Sequence, residues 1–178
     1  RPLAAVRGRH LLLTALGCRE GLGGRIMLDL AFNLARVRER VAQAALRAGR
    51  DPECIELVAV TKGCGPEVVQ GLWSLGLRDF GESRVQEALP KSEALRKLDV
   101  PWPIWHFIGH LQTNKAKKVV ECFDWIQTVD SVDLAERLDQ CCSRRPGSSM
   151  PVLIEVKLHD EPSKSGVSEA DLPAFVDT

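Results

Sequence analysis

Residues 57–69 read LVAVTKGCGPEVV, an apolar, β-branched run that stops at a lysine and breaks into glycine, cysteine, glycine and proline. From Glu56 to Thr61 there is no alternation of polar and apolar residues, which predicts a strand covered on both faces. Pro66 is placed for the first turn of a helix carrying Val69, Leu72 and Leu75, with Gly76 to end it. Upstream, Leu30, Leu34, Val37, Val41, Ala44, Ala45 and Ala48 recur at three- and four-residue spacing from Met27 to Gly49. That is the stripe of an amphipathic helix, with Pro52 beyond its end.

Downstream the alternation continues. Strands are expected at LRDF from Leu77, PIWHFIG from Pro103, FDWIQTV from Phe123 and PVLIEV from Pro151. Helical segments are expected at 83–98, interrupted at Pro90, near Asn114 to Cys122, and from Ser131 to Cys142. Sustained βα alternation means a parallel sheet, either doubly wound or closed as a (β/α)8 barrel. The loop GCGPEV lacks both the G-x-G-x-x-G spacing and the G-K-[ST] ending of nucleotide-binding loops, which favours the barrel.

The composition bounds the partners. The 178 residues carry 24 Lys and Arg against 24 Asp and Glu, so no net field attracts nucleic acid or an anionic lipid surface. With 44% hydrophobic residues the chain can bury a core as one domain and is too polar for a membrane bundle. Six cysteines, at 18, 54, 64, 122, 141 and 142, form neither a C-x-x-C pair nor a zinc spacing, so no metal is expected and a reducing compartment fits. Cys141 and Cys142 read as small occupants of a helix. Residues 1–26 carry five arginines, five glycines and one acid, Glu20. They read as a non-matching leader, disordered or targeting, ahead of a partial barrel domain at 27–178.

In a parallel barrel the carboxyl ends of the strands share one mouth, where Lys62, Gly81 to Ser83, His106 to His110, Thr128 to Asp130 and Lys157 to Asp160 would gather. Strand alternation puts Lys62 on one face with Val60 and Val58. If that face is inward, the amine stands above an apolar floor and is suited to attack an aldehyde. Equally, a strand-end lysine can simply reach solvent or a carboxylate such as Glu82.

LVAVTK, FGESRVQE with Lys91 downstream, WHFIGHLQTNK, QTVDS and VLIEVKLHDEPSKSG, in that order and at those distances, resemble the YggS/PROSC family of pyridoxal-phosphate-binding proteins. The resemblance runs from about Leu30 to Val167. It implies a TIM-type barrel related to the N-terminal domain of alanine racemase, with Lys62 holding pyridoxal 5'-phosphate as an internal aldimine. It also implies a monomer that buffers or delivers the cofactor, with no catalytic residues, in the cytoplasm or in an organelle entered through the leader.

This sequence departs from the family in places. Gly63-Cys64-Gly65 replaces a Thr-Lys-Pro-like stretch; Cys64 reads as a loop thiol with no role or, if the strand geometry persists, as a thiol at the mouth able to trap the aldehyde. The GEN motif stands as Gly81-Glu82-Ser83, and Lys157 replaces an asparagine, paired with Glu155 or acting as a second cation. Ser83, His106 and Lys157 are the candidate cofactor contacts beside Lys62. His110, Gln112, Asn114 and Lys115 are expected to open the next helix, and Ser168 with Asp171 to cap a later one. About five β/α units precede Thr178, where a closed barrel needs eight. An incomplete barrel predicts weak cofactor binding and exposed edges that invite association. The alternatives are a racemase-like enzyme using Lys62 for proton transfer, and a non-binding fragment.

Overall fold

The computed structural model of the chain describes residues 11–14, 23–97, 101–143, 149–159 and 165–177. Two compact units are distinguished, one of residues up to Phe80 with Lys91–Pro103, the other of Gly81–Pro90 with Ile104 onward.

In the first unit, β1 (Leu11–Thr14) pairs in parallel with β2 (Leu57–Val60), Leu11 opposite Leu57 and Thr14 opposite Val60. Val58, Ala59 and Val60 are all buried, so β2 is covered on both faces as its unalternating sequence demands. Helix α1 (Gly23–Arg47) buries Leu34 and Ala45 and crosses α2 (Pro66–Ser74) at Gly71. A Cβ on Gly71 would stand 2.7 Å from Met27 Sδ and 2.9 Å from Leu30 Cδ1.

Both helices end in the same way. Gly49 (φ +63°) leaves Arg50 N donating to Ala45 O at 2.9 Å and Gly49 N to Leu46 O at 3.0 Å. Gly76 (φ +85°) leaves Leu77 N donating to Leu72 O at 3.0 Å and Gly76 N to Trp73 O at 2.9 Å. These are Schellman motifs, which need a left-handed residue to close the last turn. Pro66 sits at the start of α2, where its missing N–H costs nothing.

The strand β3 (Asp79–Glu82) and the helix α3 (Val85–Arg96) contribute residues to both units. The helix runs straight through Pro90, correcting the expected interruption. A proline inside a helix costs about 3 kcal/mol. Here Pro90 faces solvent while Val85, Ala88, Lys91, Ser92 and Leu95 bury the opposite face, which offsets the lost backbone bond.

In the second unit, β4 (Ile104–Phe107), β5 (Trp125–Val129) and β6 (Val152–Ile154) pair in parallel in chain order. Helices α4 (Ala116–Cys122) and α5 (Val132–Cys142) form the crossovers, and α5 buries Leu134, Leu138 and Cys141. A 3-10 turn at Thr113–Lys115 precedes α4, so His110 and Gln112 lie ahead of the helix rather than opening it. After β6 the ladder breaks at Glu155, and β7 (Val156–Lys157) pairs with β8 (Val167–Ser168) in a separate two-stranded sheet. Ser168 Oγ and Asp171 Oδ2 lie 2.6 Å apart ahead of α6 (Leu172–Val176), but neither side chain caps it, which corrects the expected capping pair.

The five expected strands begin within two residues of their predicted starts. Residues 1–10 and 15–22 of the expected leader, and 163 and 164 of the SKSG turn, lie outside the described residues. Leu11–Thr14 is a strand and α1 begins at Gly23, so the boundary expected after residue 26 falls inside a helix. Among the described residues no helix is long and apolar enough to cross a membrane.

Two glycines separate backbone conformation from close approach. Gly76 has a positive φ but open space, Arg38 Nη2 at 3.8 Å being the nearest atom to a built Cβ. Gly109 has no such φ, yet its Cβ would meet Ser83 O at 2.6 Å. Gly76→Asn is therefore expected to cost less than Gly76→Ala, because asparagine tolerates the left-handed region. Gly109→Ala and Gly109→Asn are both expected to lower stability by about 1–3 kcal/mol through overpacking. Urea midpoints check both series, and a Gly109→Ala chain as stable as the parent would show that the Ser83 loop yields freely.

Candidate functional site

At the carboxyl end of β2 the chain turns within four residues. Cys64 N donates to Thr61 O at 3.0 Å, closing a β-turn with Lys62 and Gly63 at its corner. Gly63 has φ +73°, which the third position of a type II turn demands. The glycine inserted after the lysine thus shapes the turn rather than loosening it.

Lys62 is solvent-exposed on this turn. The strand ends at Val60, so the alternation that would place Lys62 over Val58 and Val60 does not reach it. An apolar floor beneath the amine is accordingly not what the structure shows. Thr61, by contrast, is fully buried, and its carbonyl accepts a second hydrogen bond, from Lys91 Nζ at 2.7 Å. Cys64 is disulfide-bonded, which corrects the expectation of a thiol available to an aldehyde.

Lys91 is the residue that sequence reasoning passed over. It is only 3% exposed, on the buried face of α3. The signal was present in the spacing of Val85, Ala88, Ser92 and Leu95, which places position 91 on the same stripe.

The other predicted residues belong to the second unit. His106 is fully buried on β4, stacked on Trp125 at 5.8 Å between ring centroids. Gln127 Nε2 lies 3.0 Å from His106 Nδ1. This is a hydrogen-bonded core histidine.

Ser83 is half-buried at the carboxyl end of β3, packed so tightly against Gly109 that no side chain fits there. Ile108 N donates to Glu82 O at 2.9 Å, and Thr128 Oγ1 donates to Gly109 O at 2.6 Å, so the carboxyl ends of β3, β4 and β5 are tied together. At the same rim His110 Nδ1 lies 3.2 Å from Asp130 Oδ2. Lys157 is half-buried on β7 opposite Ser168, not on β6, because the strand breaks at Glu155.

A cleft of about 350 Å³ in the first unit is lined by Arg38, Ile55, Leu57, Arg78 and Asp79 among others. It lies at the amino ends of β2 and β3. In parallel barrels the reactive groups gather at the opposite, carboxyl ends; Lys62 follows β2 in the first unit, and Ser83 and His110 follow β3 and β4 in the second.

Known proteins are similar to this chain in sequence and in fold. Among solved structures, PipY of Synechococcus elongatus with PLP bound is 41% identical, with a TM-score of 0.61 over 79% of this chain and 62% of that one. An unknown protein from Bifidobacterium adolescentis is 32% identical, with a TM-score of 0.78 over 88% of this chain and 66% of that one. The pyridoxal phosphate homeostasis protein of Escherichia coli strain K12 is 43% identical over 148 residues, 82% of this chain and 62% of that protein. Its namesake in Pseudomonas aeruginosa is 40% identical over 153 residues, 85% of this chain and 64% of that protein. The chain therefore spans a little under two thirds of these relatives. Residues 32–178 match the model described as alanine racemase, N-terminal domain, and the chain belongs to that family.

Proposed function

We propose that this chain binds pyridoxal 5'-phosphate through Lys62, as part of a protein that stores and hands on the cofactor rather than one that turns over a substrate. The observation that carries the reading is the placement of Lys62. It is a primary amine, open to solvent, at the corner of a turn whose backbone is fixed on both sides. The relatives named for pyridoxal phosphate homeostasis, and the PLP-bound PipY structure, support the choice of cofactor.

The donor set fits the group. When bound, the cofactor would supply an aldehyde, and Lys62 would supply the primary amine that holds it. Exposure lets the aldehyde arrive without any element having to open. Ser83 and Lys157 remain proposed contacts on chemistry alone, a hydroxyl and an ammonium group suited to the cofactor's oxygens. His106 has its Nδ1 engaged by Gln127 and would contribute chiefly by shaping the core beneath the rim.

Incubation with pyridoxal phosphate, borohydride reduction and peptide mapping test the assignment. The label is expected predominantly on Lys62, and Lys62→Ala is expected to remove it while leaving far-ultraviolet circular dichroism unchanged. Labelling spread evenly over surface lysines and unaffected by Lys62→Ala would refute the reading.

A further inference from the structure

The buried face of α3 carries a lysine. Lys91 occupies a buried position on the same face of α3 as Ala88 and Leu95, where a leucine or methionine would fill the space without desolvating an ammonium group. Burying a charge is costly unless it is hydrogen-bonded. Lys91 makes such a bond, and its acceptor is a backbone oxygen rather than solvent, Thr61 O at 2.7 Å.

We propose that Lys91 is a positioning residue for Lys62. This inference rests on the reading of Lys62 as the cofactor-holding amine. A carbonyl oxygen has two lone pairs. At Thr61 one takes the Cys64 N–H that closes the turn, and the other takes Lys91 Nζ from a helix 30 residues further along the chain. The peptide immediately before Lys62 is thereby tied into the buried face of α3, and the residue after it is held by the positive φ of Gly63.

Lys62 itself is exposed on a flexible four-carbon stem, with about 2 kcal/mol of rotamer freedom. Its side chain therefore gains no orientation from burial. What is fixed is the Cα position and the direction of the Cα–Cβ bond, and the Lys91 hydrogen bond ties the preceding peptide to α3. A charge-assisted bond suits that role because it is stronger than a neutral one and holds a single geometry.

The test uses the full chain and Lys91→Met, which keeps the length and the apolar stem but removes the donors. Two quantities are read. Amide hydrogen exchange at Cys64 reports the turn, and the rate of borohydride-trapped pyridoxal phosphate labelling at Lys62, divided by that at the other lysines, reports positioning. Loss of a hydrogen bond from a charged donor is expected to speed Cys64 exchange about tenfold. The Lys62 labelling ratio is expected to fall by a similar factor. A purely structural role would lower the melting temperature without moving that ratio.

An unchanged ratio in Lys91→Met overturns the proposal, whatever the exchange shows. Should Lys91→Met fail to fold, the parent chain still decides: a pinned turn requires the Cys64 amide to exchange about as slowly as that of Val60, and exchange at exposed-loop rates overturns the pin. Absence of selective labelling at Lys62 in the parent chain would instead sink the reading of Lys62, and Cys64 exchange in Lys91→Met would then judge the pin by itself.

Discussion

A buried strand in a parallel sheet must leave the core at its carboxyl end without stranding backbone polar groups. In β2 the solution is concentrated on one oxygen. Thr61 O closes the following turn and receives a buried ammonium group, so the exit of the strand, the turn and helix α3 share a single acceptor.

The second unit meets the same constraint with different groups. There the carboxyl ends of β3, β4 and β5 are drawn together by backbone and hydroxyl donors, and the approach is close enough that Gly109 has no room for a side chain. His106 is fully buried beneath that rim. A histidine in an apolar strand invites a catalytic interpretation, but Trp125 and Gln127 occupy its ring face and its Nδ1. Stacking and hydrogen bonding account for it.

Much of the architecture was legible because its signals are local. The apolar run of β2, the proline opening α2 and the glycines closing α1 and α2 each act through their own backbone conformation, and each stands where its chemistry requires. Side-chain alternation does not extend past the end of a strand, and so it fails for Lys62, which lies in a turn. Pro90 was read as a stop because proline propensity is local, whereas the burial that sustains α3 through it is tertiary. Lys91 stayed hidden because a charged residue on a helix is ordinarily assigned to the solvated face. Its acceptor lies thirty residues earlier, beyond the reach of any periodicity.

Glu155 belongs to neither β6 nor β7, yet its N–H donates to Val129 O at 2.9 Å and its carbonyl accepts from Val167 N at 2.8 Å. One peptide segment is therefore bonded to β5 on one side and to β8 on the other. In mechanical terms it is a coupling in series between two sheets: tension applied to the small sheet is carried to the large one across these two hydrogen bonds and the covalent chain between them. Gly166 lies against the same place, where a Cβ would come within 2.9 Å of Lys157 N and 3.1 Å of Glu155 O. The joint is thus the path by which load passes between the sheets, and it leaves little room for added bulk.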